Sequence, residues 1–157
     1  MFVSAHIMVG GTIGILSTLN SKKDWGKLAC GGILSHAILD YIPHWDCYPV
    51  NLEGLGLNLL IGMLIIMLLI YYFAEKRWNV IGGAFFAVLP DFENILVYMG
   101  LMERYIFPFH WPILHGEIVL PWGIITQIFV ILSCVVILRK NFAKRYHVFL
   151  PEFNKVF

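Results

Sequence analysis

The chain has 157 residues, of which 59% are hydrophobic and only 13% are charged, and its mean hydropathy is +0.77. Soluble domains usually contain about 45–50% apolar and 25% charged residues. This composition therefore excludes an ordinary soluble protein and indicates an integral membrane protein. The net charge of +1 gives no sign of a nucleic-acid partner.

Five apolar stretches are long enough to cross a bilayer, which takes roughly 17–25 residues in a helix. The loops between them are short, and no linker-like segment divides the chain. We therefore predict that residues 1–157 form one multi-pass domain of the cell membrane (inner or plasma membrane), a compact all-α bundle of about five transmembrane helices. The predicted spans are Phe2–Leu19, Gly26–Ile42, Leu52–Ala74, Trp78–Leu101 and Ile118–Leu138.

The first span contains His6 and three glycines, Gly10, Gly11 and Gly14. It lacks the basic start and the small-residue cleavage site of a signal peptide, so we predict a retained helix. Glycines in membrane helices let neighbouring helices approach closely. This pattern predicts that the first helix lies inside the bundle.

Basic residues cluster in the loops after the first, third and fifth spans, and only Arg104 lies on the other side. The positive-inside rule therefore predicts an external N-terminus, a cytoplasmic C-terminus and a basic cytoplasmic tail at residues 139–157. The clustered basic residues are Lys22, Lys23, Lys27, Lys76, Arg77, Arg139, Lys140, Lys144, Arg145 and Lys155.

The second and fourth spans share a pattern: "GGILSHAILDYIP" ends near Asp40, and "GGAFFAVLPDFEN" places Asp91 at the same interval from its glycine pair. The two aspartates are predicted to share a depth. His36 and Asp40 are four residues apart, which places them on one helical face. Pro43 and Pro90 are expected to end or kink their helices and to free backbone carbonyls beside a polar cavity.

Two further histidines lie in "FPFHWPILHGE", before the fifth span. Imidazole nitrogens and carboxylate oxygens are the ligands that zinc and similar ions take. His44, Asp46 and Glu93 are expected to be solvated loop residues, although Glu93, like Glu117, is also a candidate for the catalytic base or for a carboxylate that orients a ligand imidazole. The predicted metal ligands are His6, His36, Asp40, Asp91, His110 and His115.

The early histidine, "HAILD", "GAFFAVLPDFEN" and "HWPILH" together resemble the YdjM-type family, which is described as LexA-binding, inner-membrane-associated, metal-dependent hydrolases. The resemblance matches the family's histidines and its Pro-Asp aspartate to His6, Asp91, His110 and His115. Trp111 stands where the family usually has Arg, Leu114 where it has Thr, and Glu93 and Asn94 where it has a second Asp and a His. The pair His36 and Asp40 is similar, more distantly, to the His-x-x-x-Asp ligands of zinc-dependent phospholipase C and related nucleases, which implies a phosphoester substrate.

These observations lead to three hypotheses. The first is a membrane-bound hydrolase that uses one or two divalent ions, zinc or alternatively manganese, to cleave a phosphoester or a phospholipid; membrane lipid would then be both environment and possible substrate. The second is a transporter of metal ions or protons through the same His and Asp residues. The third is a non-enzymatic membrane adaptor whose polar residues only hold helices together.

Overall fold

The computed structural model describes residues 2–45, 52–111, 116, 118 and 121–149. Within these residues every regular secondary-structure element is a helix, which confirms the predicted all-α class. Two 3₁₀ helices, Ala74–Lys76 and Pro108–His110, accompany the six α-helices. These are α1 (Val3–Leu16), α2 (Lys22–Tyr41), α3 (Leu52–Tyr72), α4 (Arg77–Val88), α5 (Asp91–Tyr98) and α6 (Trp122–Phe149).

Local sequence explains where two of these helices begin and end. Ser21 caps α2, because its Oγ accepts from Asp24 N, which satisfies one of the free amide groups of a helix start. The same Oγ donates to Asp24 Oδ2. At its other end α2 stops at Tyr41, shortly before Pro43. The predicted break at Pro90 is also present, since α4 ends at Val88 and α5 starts directly after the proline.

The contact between α1 and α4 depends on what we call the glycine seam, formed by Gly10, Gly14 and Gly83. A Cβ atom added at Gly10 would overlap Gly83 O, and one added at Gly83 would overlap Gly10 O. A Cβ at Gly14 would overlap Asn79 O. The two backbones therefore touch, and most residues of α1 are buried, which confirms the prediction that this helix lies inside the bundle.

Helix length and composition give fewer membrane spans than the sequence predicts. Among the described residues, one helix, Trp122–Asn141, is long and apolar enough to cross a bilayer. The pair Gly56–Tyr72 and Ala74–Val88 passes the same test only as a single span bent by 114°. Because α1 has only 14 residues and the fourth predicted span is broken at Pro90, this criterion does not support five spans.

The two ends of the bundle differ in charge. Lys76 Nζ and Asn79 Nδ2 both donate to Ser17 O, which joins the α1–α2 turn to the α3–α4 turn. The lysines at the start of α2 belong to this end. At the opposite end Phe2 N donates to Gln127 Oε1, so the start of α6 lies beside the start of α1, where His6 is found.

Candidate metal centre

Four separate elements bring five of the six predicted ligands together. His6 comes from α1, His36 and Asp40 from α2, Asp91 from the first residue of α5, and His110 from the second 3₁₀ helix. These elements are far apart in sequence. The packing of α1, α2 and α4 on one another brings them together. We call these five residues the His–Asp cluster.

Asp40 lies at the centre of the cluster. Its Oδ1 is 3.1 Å from His6 Nε2, and its Oδ2 is 3.1 Å from His36 Nε2 and 3.6 Å from His110 Nε2. Asp91 Oδ1 is 3.8 Å from His36 Nε2 and accepts from Asn94 Nδ2. The side chains of Asp40 and of the three histidines are at most 2% exposed, so they are shielded from water.

Hydrogen bonds on the outer side of two imidazoles decide which nitrogen faces the cluster. His36 Nδ1 donates to Ala87 O over 2.7 Å, and His110 Nδ1 donates to Glu93 Oε2 over 2.9 Å. In the neutral ring the opposite nitrogen then carries a lone pair. The two Nε2 atoms are 3.1 Å apart, and two lone pairs at this distance repel each other unless a proton or a metal ion lies between them.

The distances fit a metal ion. The atoms His36 Nε2, His110 Nε2 and Asp40 Oδ2 form a triangle with edges of 3.1, 3.1 and 3.6 Å. Tetrahedral zinc with ligands at about 2.0–2.1 Å separates them from one another by roughly 3.3 Å. An ion just off the plane of this triangle can therefore contact all three atoms without a large movement.

Buried polar atoms without partners give a second reason to place a cation here. Within the described residues, neither ring nitrogen of His6 nor Asp91 Oδ2 has a hydrogen-bond partner. The 3.1 Å contact between His6 Nε2 and Asp40 Oδ1 lacks the alignment of a hydrogen bond. An unpaired buried polar group costs about 1–3 kcal/mol. His6–His36–Asp40 and His36–Asp91–His110 are both sets of residues that could hold a metal ion.

Glu93 supports the cluster from outside, and its environment corrects the expectation of a solvated loop residue. It is only 5% exposed, and its carboxylate accepts from Ile106 N, Phe107 N and His110 Nδ1. Burial lowers the pKa of His110, while the hydrogen bond to Glu93 acts in the opposite direction. A buried carboxylate that fixes a ligand imidazole in this way is a common partner of metal-binding histidines.

His44 is also buried, which again corrects the expectation of a solvated loop residue. Its backbone N donates to Gly116 O and its backbone O accepts from Ile118 N. Gly116 N in turn donates to Asp40 O. This short backbone pairing fastens residues 116 and 118 to the end of α2, directly after the cluster aspartate.

Ala87 O is a functional atom that no side-chain pattern could identify. It belongs to the last turn of α4, where helix carbonyls lose their intrahelical partners. Pro90 was the available signal, since it predicts a helix end and free carbonyls at this point. The remaining predicted site residues, His115, Glu117 and Asp46, lie outside the described residues.

Comparison with known proteins gives no match to any protein-family model, curated protein or solved structure. The resemblance to YdjM-type hydrolases therefore rests only on the motifs quoted above.

Proposed function

We propose that this chain is a membrane-bound, metal-dependent hydrolase that cleaves a phosphoester bond at the His–Asp cluster. The observation that carries the proposal is the convergence of the two Nε2 atoms of His36 and His110 with a carboxylate oxygen of Asp40 at ligand–ligand distances in a buried site. Zinc is the ion we favour, because it prefers this mixture of nitrogen and oxygen ligands, with manganese as an alternative.

Exposed apolar side chains support the membrane location. Only 22% of the Trp122–Asn141 stretch is buried within the chain, unlike the core helix of a soluble protein. Large continuous apolar surfaces are also rare on soluble monomers. Among the described residues, exposed examples occur on several helices, including Leu34, Ile38, Leu60, Met67, Phe129 and Leu132.

We also propose that the chain crosses the membrane several times, with the cluster toward the outer side. The chain turns by 114° between α3 and α4, which is more than a right angle, so α4 runs back toward the end where α3 began. The first helix, α1, is surrounded by its neighbours and need not match the lipid thickness. Lys22, Lys23, Lys76 and Arg77 lie at the end opposite to His6, as expected for a cytoplasmic end.

Cysteine labelling tests this topology. Lys23 and Glu103 are both exposed and belong to opposite ends of the bundle. In intact cells, an impermeant maleimide should label a Glu103→Cys variant and should label Lys23→Cys only after permeabilisation, with the native cysteines replaced in both. The opposite labelling pattern would place the cluster on the cytoplasmic side, and equal labelling would contradict the multi-pass arrangement.

The chain's own residues have separable roles in the proposed reaction. Ala87 O and Glu93 hold the Nδ1 protons of His36 and His110, so both Nε2 atoms remain available as ligands. A divalent ion bound there supplies Lewis acidity and lowers the pKa of a water toward neutrality. Asp91, whose Oδ2 is unpartnered among the described residues, would serve as a further ligand, and Glu117 is the candidate to accept a proton from the attacking water.

Hydrolysis of bis(4-nitrophenyl) phosphate by the purified, zinc-loaded protein tests the proposal. Water oxygen bonds to phosphorus and loses a proton to the base, one P–O ester bond breaks, and 4-nitrophenolate leaves. Activity should disappear with a chelator, return with zinc or manganese, and be absent in His36→Ala. Glu117→Gln should keep its metal but lose roughly 10²–10⁴-fold in turnover if Glu117 is the base.

His147→Ala, in the basic tail, is the matched control and should remain active. A second candidate function is transport of metal ions or protons, because buried His and Asp residues in a membrane protein also serve ion pathways. If metal-loaded protein cleaves no phosphoester while liposomes that contain it pass zinc or protons, the chain is a transporter instead.

A further inference from the structure

The two sets of residues that could hold a metal ion share the side chain of His36. The sets are His6–His36–Asp40 and His36–Asp91–His110. Because His36 Nδ1 donates to Ala87 O over 2.7 Å, only its Nε2 has a free lone pair in the neutral ring. One lone pair binds one metal ion, so the two sets compete for the same nitrogen and cannot both be filled through it.

The orientation of the rings decides between the two sets. A metal ion binds an imidazole in the plane of the ring, because the lone pair of the nitrogen lies in that plane. The rings of His36 and His110 are inclined by 75°, so their planes cross, and their Nε2 atoms are 3.1 Å apart. One ion can therefore lie in both planes and contact both nitrogens.

The ring of His6 has a different relation to His36. The two rings are stacked, with centroids 4.0 Å apart and planes inclined by only 16°. Planes that are so nearly parallel at this separation do not meet within a Zn–N bond length of about 2.0–2.1 Å. The lone pairs of the two rings thus run side by side, and they cannot converge on one ion.

The carboxylate of Asp40 separates the same two sides. Its Oδ1 is 3.1 Å from His6 Nε2, whereas its Oδ2 is 3.1 Å from His36 Nε2 and 3.6 Å from His110 Nε2. The oxygen that faces the two crossed imidazoles is therefore Oδ2. The ring of His6 lies against the other oxygen, with its face on one ligand imidazole and its edge beside the ligand carboxylate.

Helix α1 restrains the ring of His36 in two ways. The stacked ring of His6 fixes the plane of the His36 imidazole. Gly10, one turn after His6, lies against Ala87, whose carbonyl accepts from His36 Nδ1 and fixes the rotation of the ring within that plane. Both restraints are needed to aim a lone pair at one point in space.

We propose that the His–Asp cluster binds one metal ion through its other four members, and that His6 is a positioning residue that stacks on His36 without ligating the ion. This inference rests on the metal binding in the proposed function, and it adds the number of ions and the role of His6. The sequence alone left one or two ions open and predicted His6 as a ligand.

Cadmium-113 bound to the unmodified protein tests the ligand set without any substitution. The nuclear spin of cadmium couples through bonds to each imidazole that ligates it. We expect coupling to the rings of His36 and His110 and no coupling to the ring of His6, which is assigned by nuclear Overhauser contacts to its neighbours on α1. Coupling of the His6 ring to cadmium, whether to the same ion or to a second one, would overturn the inference.

His6→Phe and His110→Phe make the same chemical change at two buried imidazoles of the cluster. Phenylalanine keeps a flat ring but has no lone pair. In a calorimetric titration, His6→Phe should bind zinc about as tightly as the unmodified chain, because the stack on His36 is kept, whereas His110→Phe should lose zinc binding. A loss in His6→Phe as large as in His110→Phe would overturn the inference.

His6→Ala tests whether the stack positions the ligand. Removal of the ring should weaken zinc binding roughly 10–100-fold, as is typical when a residue that orients a ligand is lost, and His6→Phe should restore most of this affinity. Equal affinities of the alanine and phenylalanine variants would overturn the positioning role. Failure of the unmodified chain to bind zinc would overturn both proposals, whereas zinc binding without hydrolysis of bis(4-nitrophenyl) phosphate would overturn only the hydrolase.

Discussion

Near its start, α1 buries His6 with no hydrogen-bond partner for either ring nitrogen among the described residues, whereas one turn later Gly10 lies against the backbone of α4. In the glycine seam the absence of side chains lets two helices touch. In the His–Asp cluster, side chains of four elements converge with their acceptor atoms toward one another.

The two regions differ in role: the glycine seam packs two helices together, whereas the His–Asp cluster is the candidate functional site. The glycine seam brings the backbone of α1 against that of α4. The cluster concentrates unsatisfied acceptors that a stable core would avoid. Such an arrangement could hold a metal ion, so we expect substitutions in the two regions to have different effects.

The largest effect is expected in the glycine seam. Gly83→Ala places a methyl group against Gly10 O and should lower the free energy of unfolding by about 1–3 kcal/mol or prevent assembly, as overpacking does. Gly26→Ala is the same chemical change at a helical position with no atom within 4 Å, and alanine is there favoured by up to about 1 kcal/mol. Thermal denaturation in detergent measures both, and equal stability of the two variants would contradict the close contact.

Loss of a ligand should remove metal while the fold persists. Asp40→Asn changes the carboxylate that lies within 3.6 Å of three histidines, whereas Asp91 lies 3.8 Å from His36 in the described part of the chain. We therefore expect Asp40→Asn to lower bound zinc, measured by mass spectrometry of the purified protein, more than Asp91→Asn does. Retention of zinc in Asp40→Asn, or loss of the folded bundle with zinc still bound, would assign the aspartate a structural role.

A smaller effect is expected from the carboxylate outside the cluster. Glu93→Gln keeps an acceptor for Ile106 N and Phe107 N but weakens the hydrogen bond that orients His110. Zinc affinity should fall roughly 10–100-fold, as is typical when such a partner is lost. Glu103→Gln, at an exposed glutamate, is the control in the same titration and should bind zinc like the unmodified chain.

The smallest effect is expected at Asn94, whose Nδ2 donates to Asp91 Oδ1. Asn94→Ala removes this hydrogen bond and should weaken zinc binding by less than Glu93→Gln, since Asp91 is the most distant and most exposed member of the cluster. Calorimetric titration with zinc gives the order. A larger loss in Asn94→Ala than in Glu93→Gln would mean that Asp91, and not His110, dominates the site.

Several features of the fold were predictable because they depend on local physics. The composition and helical spacing predict an all-α chain, Pro90 predicts the break between α4 and α5, and Gly10 and Gly14 predict a closely packed α1. The five predicted spans were not reproduced by helix length, because the proline divides one of them and α1 is short. Length alone is a weak guide where helices are broken or are buried inside a bundle.

The sequence by itself determined which residue types are available for a site, and the spacing of His36 and Asp40 determined that these two share a helical face. Only the tertiary structure decided that His6 and His110 meet the same carboxylate, that Glu93 is buried behind His110, and that Ala87 O fixes the orientation of His36. The physical reason is that a helix fixes neighbours three or four residues apart, whereas contacts between α1, α2, α5 and the second 3₁₀ helix depend on how their backbones pack, which the glycine seam allows but does not encode in any short motif.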